Sequence, residues 1–282
     1  MSMDFLTYCK LNDILIDHLP PLGVWRRYPT VDHPHKRNGA VKYMGDHGFV
    51  QNWATNLEVE VWKSDKPNSF DRAKLMRDVQ AAEDKKRRQQ REAAGKAAWI
   101  LKQCQFGQHQ YLKAKGYEDE MVNVWAKDGT KTMVIPMRVD GHLVGCQMID
   151  EAGVKKFLFG QRTSGATFIF DNKGPNILCE GYATALAIRK ALKNMKRRYT
   201  LHVCFSAGNM KKIASTIQEP GLIVADNDAS ATGERTAKEI GWPYWLSDVV
   251  GEDANDTHQR VGLFKFSQSL VKSLNQLAAG NG

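Results

Sequence analysis

Residues 176–240 constrain the fold of this chain more than any other stretch, because short apolar runs alternate there with helical segments three times over. Asn176–Cys179, Leu201–Phe205 and Leu222–Ala225 have the length and β-rich composition of strands buried on both faces. Between and after them, about Thr184–Met195, about Met210–Gln218 and about Thr232–Ile240 carry helical patterns. Strand alternating with helix predicts an α/β fold, a parallel sheet flanked by helices. Ligands of such sheets bind beyond the carboxyl ends of the strands, so the residue that follows each run matters most. Here Glu180 follows one run, and Asp226 and Asp228 of "LIVADNDAS" follow another. Asp253 and Asp256 of "GEDANDTHQ" come after the apolar piece "WPYWL". If the strands are neighbours, these carboxylates converge on one edge of the sheet.

Carboxylates gathered closely repel one another and raise each other's pKa, and a hard cation relieves the repulsion. An oxygen-only donor set without Cys or His suits Mg²⁺ or Mn²⁺ rather than zinc. Phosphoryl or nucleotidyl transfer is the chemistry such a site serves. Each motif also has a plainer explanation. Asp-x-Asp after a strand is common turn chemistry, and Glu180 before its glycine can be a helix-capping feature near a positive dipole end.

The 282 residues suffice for one large or two smaller domains, and the 42% apolar content is that of a globular protein. No run approaches the ~20 apolar residues of a membrane helix, and "MSMDFLTYCKLNDIL" lacks a signal-peptide pattern, so a cytoplasmic location is expected. Five scattered cysteines without C-x-x-C spacing argue against a disulfide framework or a cysteine-rich zinc site. The net charge of +9 is uneven: residues 1–116 hold 20 basic against 13 acidic side chains, and residues 117–282 hold 20 against 18. A basic N-terminal half suggests a polyanionic partner.

Five regions are expected. Residues 1–68, with alternating runs such as "GAVKYMG" and "GFVQNWA", form a β-rich module; residues 69–103, free of proline and highly charged, form a long linker helix. Its "KKRRQQR" is either a solvated face or a phosphate-contacting one. Residues 104–174 form a small mixed α/β subdomain with a turn at Asp140-Gly141; residues 175–265 form the parallel-sheet domain; residues 266–282 are a C-terminal tail.

"LCEGYATALAI", "VADNDASATGERTAKEIG" and "GEDANDTHQRVG" resemble the Toprim fold of primases, topoisomerases and some nucleases, with bacterial and phage-type DNA primases the nearest in pattern. The resemblance implies a Toprim-like sheet in which Glu180, Asp226 and Asp228 are catalytic and metal-binding, with Asp253 and Asp256 as ligands of a second metal. Where replicative primases carry an aspartate four residues after the glutamate, this chain has Thr184. Upstream, "VIPMRVDGHLVGCQ" and "KKFLFGQRTSG" resemble primase strands whose basic residues face nucleotide and template, which implicates Arg138 and Lys156, with Lys155 and Arg162 beside them.

"WRRYPTVDHPHKRNGAVKYMGDHGFVQNWAT" resembles the zinc ribbon that opens many primases, without its cysteines. Asp32, His33 and His35 lie close together, yet no second cluster completes a zinc site, so a ribbon-like module held by packing, without zinc, is expected. Arg26, Arg27, Lys36, Arg37 and Lys42, interleaved with aromatic residues including Trp53, suit single-stranded nucleic acid. The expectation is a metal-dependent DNA primase of a phage, plasmid or mobile element, taking single-stranded DNA and nucleoside triphosphates. A separate helicase would be its partner, since no G-x-x-x-x-G-K-[ST] loop occurs. The rivals are a Toprim nuclease using the same acids, and a non-catalytic nucleic-acid-binding accessory or inhibitor.

Overall fold

A computed structural model of the chain describes residues 3–53, 55, 58–64 and 72–280. The boundary expected between residues 68 and 69, and the final two residues of the expected tail, lie outside them. The chain divides into two compact units, one ending at Arg88 and the other beginning at Gln89.

In the first unit, helix α1 (Phe5–Leu11) starts at Asp4, whose carboxylate accepts the Thr7 N–H at 2.8 Å. Strands β1 (Arg26–Tyr28), β2 (Gly39–Tyr43), β3 (His47–Asn52) and β4 (Glu60–Lys63) pair in that order as an antiparallel sheet. Period-two alternation turns Val41, Val50 and Trp62 inward onto Phe5, Cys9 and Ile14 of the core. Phe5 stacks on Tyr43 with ring centroids 5.0 Å apart. Helix α2 (Arg72–Gln103) runs through the division between the units.

The second unit begins with the last turns of α2. Ala93, Ala97 and Ile100, at helical spacing, are buried against Val134, Cys146 and Leu158. The stretch expected as a linker helix is therefore, from residue 89 on, a packed layer of this unit. Five strands, β5 (Gln105–Gly107), then β6 (Val122–Lys127), β7 (Thr130–Val139), β8 (His142–Asp150) and β9 (Lys155–Phe157), form an antiparallel sheet in sequence order, with α3 (Gln110–Ala114) between the first two. Asp140 and Gly141 join β7 to β8 with φ of 50° and 78°, the two left-handed positions of a tight hairpin.

The second sheet comprises β10 (Phe168–Asp171), β11 (Asn176–Cys179), β12 (Thr200–Val203), β13 (Leu222–Ala225) and β14 (Tyr244–Leu246), in spatial order β10-β12-β11-β13-β14. The last four are parallel, and β10 runs antiparallel beside β12. Helices α4 (Tyr182–Asn194), α5 (Ala207–Ala214), α6 (Thr232–Ile240) and α7 (Ala254–Gly280) link and cover the strands. The cores divide by face: Leu186, Ala187 and Phe266 of α4 and α7 lie in one cluster, Met210, Ile213 and Ala237 of α5 and α6 in another.

Two expectations about domains are corrected. Residues 266–280 are not a tail but the continuation of α7 past a break at Gly262 (φ 80°), with Phe266, Leu270 and Leu274 in the main core at four-residue intervals. The stretches 104–174 and 175–265 share that core, which joins Met133, Ile135 and Ile149 of the antiparallel sheet to Ile177, Leu186 and Leu222.

Candidate active site

The parallel registers align Cys179 with both Val203 and Val224, and Ala225 with Leu246, so the strands end together. Chain order places β12 on one side of β11 and β13 on the other, with connecting helices on opposite faces. The crevice beyond the carboxyl ends of β11 and β13 is thus the switch point of the sheet, where such folds bind ligands. Glu180 and Asp226 are the residues that follow those two strands.

The acids differ in what their oxygens do. Asp228 sits in the turn before α6, where its Oδ1 accepts the Ser230 hydroxyl at 2.6 Å and the Thr232 N–H at 3.2 Å. Burial pushes its pKa up, but those hydrogen bonds outweigh burial and hold it below the usual value. Asp253 caps α7: its Oδ1 accepts the N–H groups of Asn255 (2.7 Å) and Asp256 (2.9 Å), and its Oδ2 accepts the Thr184 hydroxyl at 3.2 Å. Asp256 closes a reciprocal capping box through the Asp253 N–H at 3.2 Å and pairs with Lys115 at 3.3 Å. Asp253 and Asp256 are thus engaged in capping α7, and one oxygen of Asp228 in the turn ahead of α6. Asp253 and Asp256, expected as ligands of a second metal, have both oxygens engaged within the protein. Thr184, the departure from the primase pattern, is one of the groups that hold Asp253.

Glu180 also has a plainer explanation, since its carboxylate accepts the Ala207 N–H at the start of α5; the Asp226 Oδ1 has none. Burial raises the Glu180 pKa, and an Ala207 N–H at the start of α5 only partly offsets it. Asp226 is pushed up to about 7 by burial, then by the charges of Glu180 and Asp253, with Lys155 opposing. Its Oδ1 is buried without a hydrogen-bond partner. An unpaired buried carboxylate oxygen beside other carboxylates is costly. A hard cation would satisfy it, and the all-oxygen donor set fits Mg²⁺ or Mn²⁺. Among the described residues, however, no group of three or more His, Cys, Asp and Glu side chains stands in metal-holding geometry. The fit rests on Glu180 and Asp226, with Asp228 next to them.

The loop behind these acids is knitted to its neighbour. Asn227 receives the Gly251 N–H at 2.6 Å, donates its own N–H to the Glu252 carbonyl at 3.1 Å, and reaches the Ser247 carbonyl at 3.0 Å through its side chain. Arg260 clamps Glu252 at 2.7 Å and Asp248 at 2.6 Å. Gly233 lets α6 approach, since a Cβ there would lie 2.3 Å from the Asp226 carbonyl oxygen.

The basic residues expected near the acids separate. Lys155 is the cation that opposes the raised pKa of both Glu180 and Asp226. Lys156 points the other way, paired with Met148 on the face that α2 covers. Arg162 is exposed on the loop after β9, its Nε donating to the Ser164 carbonyl at 3.1 Å. Arg138 donates to the Gly141 carbonyl at 3.0 Å and lines a cavity of about 350 Å³ with Thr167, His202 and Ile213. That cavity reaches the carboxyl end of α5, whereas Glu180 lies at its amino end, roughly 12 Å away along eight residues of helix.

In the first unit, the register puts Arg27, Lys42 and Phe49 on the outer face of the sheet. Trp25 lies 6.2 Å from Phe49, and Arg27 covers the Trp53 ring at 3.2 Å. Tyr28 and Tyr43 instead join the core. Arg26 lies on the core side at the open edge of β1, and Lys36 and Arg37 are exposed in the β1–β2 connection, where His33 and His35 also sit. Asn227 and the aromatic residues Phe157 and Phe159 escaped the sequence reading. The last two carried a signal, being apolar residues set among "KKFLFGQR".

No family model matches the sequence, and no curated protein matches it. Among the described residues no helix is long and apolar enough to cross a membrane. One similar solved chain comes from a bacteriophage T7 assembly, described as a lagging-strand DNA polymerase interacting with primase domains of two gp4 subunits bound to an RNA/DNA hybrid and dTTP. The likeness covers 61% of this chain and 91% of that one, at 16% identity and a TM-score of 0.42, too slight to assign a fold or an activity.

Proposed function

We propose that the chain is a DNA primase-like nucleotidyltransferase on a Toprim-type sheet, making short RNA primers from nucleoside triphosphates on single-stranded DNA during replication of a phage, plasmid or other mobile element. The observation that supports this most is the buried, unpartnered Asp226 Oδ1 beside Glu180 at the switch point of a parallel sheet. Glu180 and Asp226, with Asp228 from the adjoining turn, would hold Mg²⁺ or Mn²⁺. When bound, the metal supplies charge neutralisation at the reacting phosphates and activation of an attacking hydroxyl. Lys155 offers a cation to a triphosphate from the flank of the same crevice. Asn227 and the Arg260 clamp keep the loop after β13 fixed, so that Asp226 and Asp228 are positioned before substrate arrives. Arg162, and the outer face of the first unit with Arg27, Lys42 and Trp25, would contact template phosphates and bases.

A second reading, a nucleic-acid-binding replication accessory without catalysis, is favoured by the engaged oxygens of Asp253 and Asp256. Primer synthesis on single-stranded DNA, with labelled nucleotides and Mg²⁺ or Mn²⁺, distinguishes the readings. Intact protein should yield short products that vanish in Glu180→Gln and Asp226→Asn. Glu180-dependent cutting of the DNA instead would establish a nuclease, and neither activity on varied templates, with DNA binding intact, would favour the accessory.

A further inference from the structure

Strand β9 flanks the acidic crevice and ends in an unusual display. Phe157 is 42% exposed and Phe159 is 89% exposed, so two rings stand in solvent within three residues. Phe159 is the most exposed large apolar side chain among the described residues. Phe159 occupies the first corner of a tight turn closed by the Gln161 N–H to the Leu158 carbonyl at 3.3 Å, with Gly160 at φ 77° in the second corner.

That turn is bolted down. The Gln161 side-chain oxygen accepts the N–H of Cys146 at 3.1 Å and of Leu158 at 3.2 Å, and its amide nitrogen lies 3.1 Å from the Met137 sulfur. Gly145 leaves the room this needs, since a Cβ there would lie 2.3 Å from the Gln161 oxygen. Leu158 is buried in the core under α2, which anchors the middle of the segment. Phe157 meets Phe205 edge to face at 6.3 Å, and the Phe205 N–H donates to the Glu180 carbonyl at 2.9 Å. Lys155, Lys156 and Arg162 bracket the rings in sequence, and the Lys155 charge reaches Glu180 and Asp226.

We infer that Phe159, supported by Phe157, is a preorganised stacking post for a base of single-stranded nucleic acid entering the acidic crevice. Rings stack on any base while neighbouring cations meet the phosphates, and a rigid pedestal spares the entropy of ordering a loop on binding. The inference rests on the nucleic-acid reading of the crevice and adds the residue that would set the strand's path.

The test is equilibrium binding of a fluorescein-labelled oligothymidylate to the full chain, without metal or nucleotide, over a range of salt. Phe159→Ala should weaken binding about 5- to 100-fold, the loss of one stacked base. Phe159→Trp should restore it. The salt slope should stay unchanged in Phe159→Ala and fall by about 0.7 in Arg162→Gln, which loses a single-strand phosphate contact. Equal binding by Phe159→Ala and the intact chain overturns the stacking post and leaves the nucleotidyl-transfer reading standing. Weakened binding by Phe159→Ala, in a chain with no Glu180-dependent activity, overturns that reading and leaves the post. Loss of self-association in Phe159→Ala by sedimentation, with DNA binding intact, makes the ring a protein contact and refutes the inference.

Discussion

Replacing Asp226 by Asn removes a charge that the metal-free fold carries at a cost. The ordinary pKa of 3.8 is raised to about 7, chiefly by burial and then by Glu180 and Asp253. At about 1.4 kcal/mol for each pH unit, ionising Asp226 costs the fold about 4 kcal/mol, or about 2–3 kcal/mol after allowance for its partial exposure. An acid whose folded pKa exceeds its unfolded one destabilises wherever it is ionised. The cost is therefore absent below about pH 4, grows from pH 3.8 to about 7, and is constant above. Asparagine keeps the shape but leaves a buried oxygen unpartnered, which returns about 1 kcal/mol of the gain. In EDTA at pH 8, Asp226→Asn should be more stable than the intact chain by about 1–2 kcal/mol in urea denaturation followed by tryptophan fluorescence. At pH 4 only the asparagine penalty remains, and the variant should be about 1 kcal/mol less stable than the intact chain. Mn²⁺ at a hundred times its dissociation constant should add about 2.7 kcal/mol to the intact chain alone and reverse the difference, leaving the intact chain about 1 kcal/mol the more stable. A variant no more stable than the intact chain at pH 8 would show that Asp226 carries no electrostatic burden, and the case for a cation at this crevice would fall with it.

Three further outcomes are expected. Burial lowers the His202 pKa from 6.5 to about 4, so the fold holds this ring neutral and loses about 3 kcal/mol as pH falls from about 6.5 to about 4. His202→Leu should flatten that acid limb in thermal melts, and an unchanged limb would refute the assignment. Gly233→Ala should cost about 3 kcal/mol, because the new methyl meets the Asp226 backbone and α6 has to move. A melting temperature within 2 °C of the intact chain, roughly 1 kcal/mol at this size, would mean the contact relaxes freely. Arg260→Ala frees Asp248 and Glu252 and should speed amide exchange at Asn227 and Gly251. Unaltered exchange would show that the backbone bonds alone hold the loop.

The parallel sheet was the most legible part of the chain. Asn176–Cys179, Leu222–Ala225 and Thr232–Ile240 have the bounds the pattern predicts, because strands buried on both faces are unbroken apolar runs between helical periods. The start of α5 was missed by three residues, since the Ser206 N-cap precedes a small-residue turn with weak periodicity. Helix α7 was missed altogether, because Phe266, Leu270 and Leu274 are diluted by Ser, Gln and Lys on the helix's other faces. For the site, the acids at strand ends were visible, but not which of their oxygens were already engaged. That depends on where α7 begins relative to Thr184, a contact spanning 69 residues. The opposite orientations of Lys155 and Lys156 depend on strand register, which a run of two lysines does not encode. The sorting of Tyr28 and Tyr43 inward from Trp25 and Phe49 outward has the same origin.

One small feature governs how the crevice can be entered. Arg138 and Thr167 exchange two backbone hydrogen bonds, at 2.9 and 2.8 Å, between the end of β7 and the approach to β10. This seam joins the antiparallel sheet to the parallel one, and the two already share a core. Hinges need a segment whose dihedral angles can swing without breaking packed contacts, and none is available across such a weld. The two sheets behave as a single jaw rather than a pair. A ligand of Glu180 and Asp226 would meet a crevice already shaped by the fold, not one closed around it by the two sheets.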